Sequence, residues 1–223
     1  MREPSLARRL TAEAIGTALL LAAVVGSGIM GDQLAGGNVA LTLLANTLAT
    51  GAALVALILA FGPISGAHFN PAVSLAEAWL GGLPWREAPA YLAAQVAGAY
   101  VGVATAHGMF SAPLFSASRQ MRAGGAQLLG EFVATFGLLA IIQSCARRRP
   151  TAIAFAVGAY ITAAYWFTSS TSFANPAVTL ARAATDTFTG IRPVDAPAFI
   201  AAQLAGAAAA TVLFRWLLPT DST

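Results

Sequence analysis

The chain has 223 residues, of which 57% are hydrophobic and 9% charged, with a formal net charge of +3. A soluble domain carries about 25% charged residues, and an all-helical soluble core of this length would need far more polar surface; the composition is that of an integral membrane protein. All twelve basic residues are Arg and form no basic stripe, which excludes a nucleic-acid partner, and the lone Cys145 excludes an internal disulfide.

Apolar segments run at about 6–30, 38–61, 88–110, 125–146, 150–168 and 196–218. Each is close to the roughly 20 residues a spanning helix needs. Arg8-Arg9 before the first segment imitates a secretory signal, but that segment is long enough to cross and ends in no clear cleavage site, so no targeting peptide is expected. The predicted fold is all-α: six transmembrane helices in a single channel domain spanning 1–223.

Two shorter apolar stretches each begin with the same tripeptide, Asn70-Pro71-Ala72 and Asn175-Pro176-Ala177. Pro suits the first turn of a helix and Asn the position capping it. Short helices are predicted from Val73 to about Leu80 and from Val178 to about Thr185. At about ten residues they are too short to cross, and read as re-entrant half-helices. A helix that starts at mid-membrane must turn its unpaired N–H groups to a cavity rather than to lipid. The stretches before them, Pro63 to His68 and Thr168 to Phe173, read as extended backbone. Their carbonyls, taken as those of Gly66, Ala67, His68 and Thr171, would form a ladder of acceptors opposite the free amide donors of Asn70 and Asn175.

The two halves repeat. Ala12 to Thr17 parallels Gly130 to Thr135, His68 to Val73 parallels Phe173 to Val178, and Ala90 to Ala99 parallels Ala198 to Ala207. Repeat one covers about 6–110 and repeat two about 125–218. With three crossings each, the second is inverted relative to the first, so the half-helices enter from opposite sides and meet at their tips. Their two positive dipole ends repel cations. Arg2, Arg8, Arg9, Arg86, Arg147, Arg148, Arg149 and Arg215 fall on the side of the N-terminus, against Arg119, Arg122, Arg182 and Arg192 on the other, which predicts both termini in the cytoplasm. Trp79, Trp85, Trp166 and Trp216 suit interfacial belts, and Gly98, Gly102 and the run from Gly206 to Ala210 suit close helix packing.

Glu13 and Glu131 occupy equivalent repeat positions inside spans. An intramembrane carboxylate is costly. Each reads as a structural acceptor for N–H groups of the adjacent re-entrant loop, with a proton relay as the alternative. Gln95 and Gln203 are paired in the same way and read as loop braces. His68 reads as a ring fixed by its neighbours, with pH gating as the alternative; His107 reads as incidental. The histidines and Cys145 provide no metal cluster or nucleophile–base pair, so neither an enzyme nor a cofactor is expected.

This pattern closely resembles the aquaporin and aquaglyceroporin family over nearly the whole chain, on the two Asn-Pro-Ala motifs, Ser65-Gly66-Ala67-His68-Phe69 before the first, and Glu13 and Glu131. The resemblance implies a homotetramer in the inner (cell) membrane, with one pore per subunit, passing water and small neutral solutes passively. The family's outer constriction, carried over by distance from the motifs, falls on Thr50, Ala163, Ser172 and Val178, with Phe173 competing with Ser172. Most members carry Arg directly after the second motif; here it is Val178, and Arg182 lies one turn further on. A wider, less charged ring follows, discriminating mainly by size. In lacking the Arg the chain resembles bacterial aquaglyceroporins linked to arsenic resistance, for which the implied cargo is arsenite as neutral As(OH)3, with methylated arsenicals; a glycerol or general-solute channel is the plainer reading. The alternative from another class is an ion- or proton-coupled secondary transporter, since inverted repeats with broken helices occur there too. The spans lack Asp and hold only the symmetric Glu pair, which favours the channel.

Overall fold

The computed structural model describes residues 4–218; Arg2, counted above on the side of the N-terminus, lies outside them. Its helices are α1 (Leu6–Leu34), α2 (Val39–Ser65), α3 (Pro71–Leu80), α4 (Ala88–Met109), α5 (Gly125–Arg148), α6 (Ile153–Phe167, preceded by a 3-10 turn over Pro150–Ala152), α7 (Pro176–Arg182) and α8 (Ala196–Leu217). Among the described residues five of these segments are long and apolar enough to cross a membrane: α1, α2, α5, α8 and the stretch Pro150–Phe167. The sixth expected span, α4, has the length, at 22 residues. Its proline, glycines and tyrosines, with buried Gln95 and His107, leave no stretch of it as continuously apolar as those of the other five. Its polar groups are used by its neighbours, Gln95 by Glu13 and Ser74, and His107 by Thr185.

The pairing of elements repeats. The contacts α1–α4, α1–α2 and α3–α4 are matched by α5–α8, α5–α6 and α7–α8, while α4 also touches α7 and α3 touches α8. The tight pairs close through small residues. A Cβ on Gly98 would collide with the carbonyl of Ala14, one on Gly102 with that of Ala18, and one on Gly206 with that of Phe132. Lipid gives helices no hydrophobic reason to associate, so close backbone approach and dispersion supply the attraction. Gly51 of α2 and Gly158 of α6 face each other in the same manner. The four tryptophans are all exposed.

Four expected boundaries move. Pro63 was predicted to begin the extended stretch, but α2 continues through it to Ser65 and ends at Gly66, whose φ of 90° and N–H bond to the Gly62 carbonyl form the cap. A proline forfeits one intrahelical bond, and a helix packed on its neighbours absorbs that near its end. The half-helices start at Pro71 and Pro176 rather than two residues later, with Asn70 and Asn175 as caps in extended backbone. The second stops at Arg182, short of Thr185, because the chain folds back on it: Ile191 N–H donates to the Arg182 carbonyl at 3.2 Å.

Candidate functional site

The half-helix tips are built from local chemistry. Asn70 Oδ1 accepts from Ala72 N–H at 2.9 Å, and Asn175 Oδ1 from Ala177 and Val178 N–H at 3.0 and 3.3 Å. The amide nitrogens then cross. Asn70 Nδ2 donates to the Ala174 carbonyl at 2.7 Å and Asn175 Nδ2 to the Phe69 carbonyl at 2.8 Å. The tips therefore meet, each bracing the other's loop. This corrects the expectation that both amide hydrogens face the cavity, since one of each pair is used across the tip contact. The second remains available, because an amide NH2 carries two donors.

The loops before the tips are held from behind by the two buried acids. Glu13 accepts from His68 N–H and Phe69 N–H at 3.0 and 2.7 Å, from Ser65 Oγ at 2.7 Å and from Gln95 Nε2 at 2.8 Å. Glu131 accepts from Phe173 N–H and Ala174 N–H at 2.8 and 2.9 Å, and from Gln203 Nε2 at 2.6 Å. In a planar trans peptide the C=O points opposite to the N–H. Capture of these N–H groups therefore turns the carbonyls of Ala67, His68, Ser172 and Phe173 away from the acids. All four residues line the central cavity. Ala67, Phe69, Ser172 and Ala174 hold positive φ of 49–51°, strain of about 1–3 kcal/mol per residue that persists only where the surroundings over-determine it. The acids, with Gln95 and Gln203 behind them, provide that determination.

The cavity, of about 250 Å3, runs from Thr50, Tyr165, Ser172, Phe173, Val178 and Arg182 at one end, past Asn70 and Asn175, to Gly66, His68 and Glu77 at the other. A water needs only about 10–15 Å3 of such volume, so a file of waters or a small polyol fits. One wall is the carbonyl ladder; much of the rest is aliphatic, including Leu20, Val24, Leu138, Val157 and Ile161.

Of the residues expected at the constriction, Thr50, Ser172, Phe173 and Val178 line one end of the cavity together. Ala163 does not: it lies on the exposed face of α6. The stripe of α6 that faces the cavity is Val157, Ile161 and Tyr165, spaced by one helical turn, and a residue two positions off that stripe points away from it. Carrying a position across from motifs on other segments ignored that period. Thr171 is likewise not among the lining residues; its hydroxyl accepts from Arg122 Nη1 at 3.2 Å. His68 does line the cavity, with Nδ1 3.0 Å from Ser74 Oγ. Ser74 Oγ also accepts from Gln95 Nε2 at 2.8 Å. Far from incidental, His107 is buried with Nε2 2.7 Å from Thr185 Oγ1 and ties α4 to the loop after α7.

Apart from the aliphatic lining, sequence reasoning missed Tyr165 and Glu77, and it set Arg182 above the constriction rather than in the lining. The last two stand seven residues after Asn70 and Asn175 respectively, two helical turns along each half-helix. That shared spacing was the available signal. Arg182 is only 2% exposed. Its guanidinium carbon lies 3.4 Å from the centre of the Phe173 ring, and its Nε donates to the Thr189 carbonyl.

Comparison with known proteins agrees with this architecture. The major intrinsic protein family matches residues 1–152 and 143–222. The chain is 58% identical to aquaglyceroporin AqpS of Rhizobium meliloti (strain 1021) over 218 residues, covering 98% of this chain and 93% of that protein. It is 33% identical to aquaporin NIP1-3 of Oryza sativa subsp. japonica over 223 residues, covering 96% and 75%. In fold it is similar to the X-ray structure of the aquaglyceroporin from Plasmodium falciparum, with a TM-score of 0.72 over 96% of this chain and 95% of that one, at 24% identity. An all-helical multi-pass chain with two opposed half-helices around one cavity, matched along nearly its whole length, belongs to the major intrinsic protein family.

Proposed function

We propose that the chain is a passive channel, not an enzyme, for water and small neutral solutes of about glycerol size. The observation that carries this reading is the cavity itself. It passes both asparagine tips, offers carbonyl acceptors on one wall and is aliphatic on the other. A hydroxylated solute can exchange water for these groups as it moves, without meeting a site that traps it. The finer reading adds metalloid hydroxides such as arsenite, and methylated arsenicals, to the cargo. Its support is Val178 in the place where an arginine would narrow the ring, since As(OH)3 presents hydroxyls much as a polyol does. A homotetramer in the inner membrane with both termini cytoplasmic completes the proposal, resting on family likeness and on the arginine asymmetry. Under this topology Val178 and Arg182 face outward and Glu77 inward.

Vesicle flux measurements on the Val178→Arg variant test the filter. Permeability to glycerol and arsenite is expected to fall more than permeability to water. Equal loss of all three, in a variant with a native unfolding profile, contradicts the assignment of Val178 to the constriction.

A further inference from the structure

We infer that Arg182 supplies the cationic, hydrogen-bond-donating group of the outer constriction from one turn beyond Val178, so that this filter is displaced rather than uncharged. The inference rests on the channel reading above. Val178 and Arg182 are four residues apart and share a face of α7. Helical side chains lean back toward the N-terminus and cover the preceding turn, so the long Arg182 side chain returns toward the level of Val178. Both residues line the cavity.

The head group is held and yet has donors to spare. The Phe173 ring and the Thr189 carbonyl fix its position. The loop that presents Thr189 is tied down by hydroxyl contacts from Thr185 to Thr187 at 3.1 Å and from Thr187 to Thr189 at 3.3 Å, and by His107 on Thr185. Among the described residues neither Nη1 nor Nη2 of Arg182 has a hydrogen-bond acceptor, and the residue lines the cavity. Arg122 makes the contrast. Its guanidinium also lies against Phe173, at 4.9 Å, but its nitrogens are used on Gly190, Ser170, Thr171 and Phe188. It braces the loop, and Arg182 is left to meet the solute. The ligand chemistry is a neutral solute carrying hydroxyl or carbonyl oxygens; small cations are repelled.

The test compares methylammonium uptake with glycerol re-swelling in proteoliposomes. In Arg182→Gln the cation-to-glycerol permeability ratio is expected to rise about tenfold or more, as one poorly screened charge beside the path is lost. Arg182→Lys keeps the charge and is expected to hold the ratio within about twofold of native. A native ratio in the Gln variant overturns the inference, as does an equal rise in both variants, which marks a packing role. Native vesicles without glycerol flux would remove the channel reading and this inference together; native flux with an unchanged variant ratio would remove the inference alone. Should Arg182→Gln not fold, glyoxal labelling of the native protein decides. Modification of Arg182, suppressed by excess glycerol, supports the assignment, and modification of Arg119 and Arg192 with Arg182 untouched overturns it.

Discussion

The two half-helices are near copies at their tips and opposites at their far ends. Asn70 and Asn175 cap in the same way, cross in the same way and are backed by equivalent acids. Two turns along, α3 carries Glu77 and α7 carries Arg182, and both line the cavity. The core behind the tips differs as well. The Phe69 ring fits only because α1 has Gly16 beside it, where a Cβ would strike the ring. Their repeat partners are Ala174 and Ala134, both small and both buried. Symmetry-related positions thus build the path, and departures from symmetry set the character of its two mouths.

The largest expected effect is on the shared part. Glu13→Ala strips four donors of their acceptor and Glu131→Ala three. Each orphaned buried donor costs about 1–3 kcal/mol, so both variants should lose most folded protein, Glu13→Ala more severely, as read by yield and thermal unfolding in detergent. A normally folded Glu131→Gln that loses proton-coupled uptake would instead favour a transporter. Next is the unequal core: Gly16→Ala should destabilise by about 1–3 kcal/mol through overpacking against Phe69, whereas Ala134→Gly should cost only about 1 kcal/mol. Equal costs would break the comparison. Asn70→Ala and Asn175→Ala should each cost about 1–2 kcal/mol for the lost cap and brace. The double variant should cost less than the sum, because each brace holds the tip from which the other starts.

The smallest effect lies in the loops on the Arg182 side, where Asp186 accepts from Arg119 N–H and Nε. The backbone bond from Arg119, with help from its side chain, holds the Asp186 carboxyl below its ordinary value. A depressed folded value means that its contribution is in place at neutral pH and is lost as the pH falls below the ordinary carboxylate range. Asp186→Asn should remove that part of the acid sensitivity and lower neutral-pH stability by the same small amount, as expected for a pair whose arginine is exposed.

What could be read in advance was what local chemistry dictates. Asn-Pro at a helix start and a carboxylate in an apolar span carry their meaning within a few residues, so Asn70, Asn175, Glu13 and Glu131 stood out. Arg182 was noticed one turn beyond Val178 but given no place in the ring, because comparison with a family proceeds position by position, and Val178 read as the loss of an arginine. That another arginine leans back from the next turn is a matter of side-chain reach, and its burial depends on Phe173 and on a loop that closes seven residues later. Ala163 failed for a related reason: distance along the chain says nothing of which face of α6 is turned inward. Pro63 misled because a proline's local cost was weighed without the packing that absorbs it.

The central claim is that the space between the two asparagine tips is a continuous path for neutral solutes. Glycerol influx into vesicles containing the native protein, with no ion gradient imposed, tests it directly. The account predicts re-swelling well above that of protein-free vesicles, at a rate that grows linearly with the glycerol gradient. Influx no faster than in protein-free vesicles, or influx that saturates and requires an ion gradient, would contradict it.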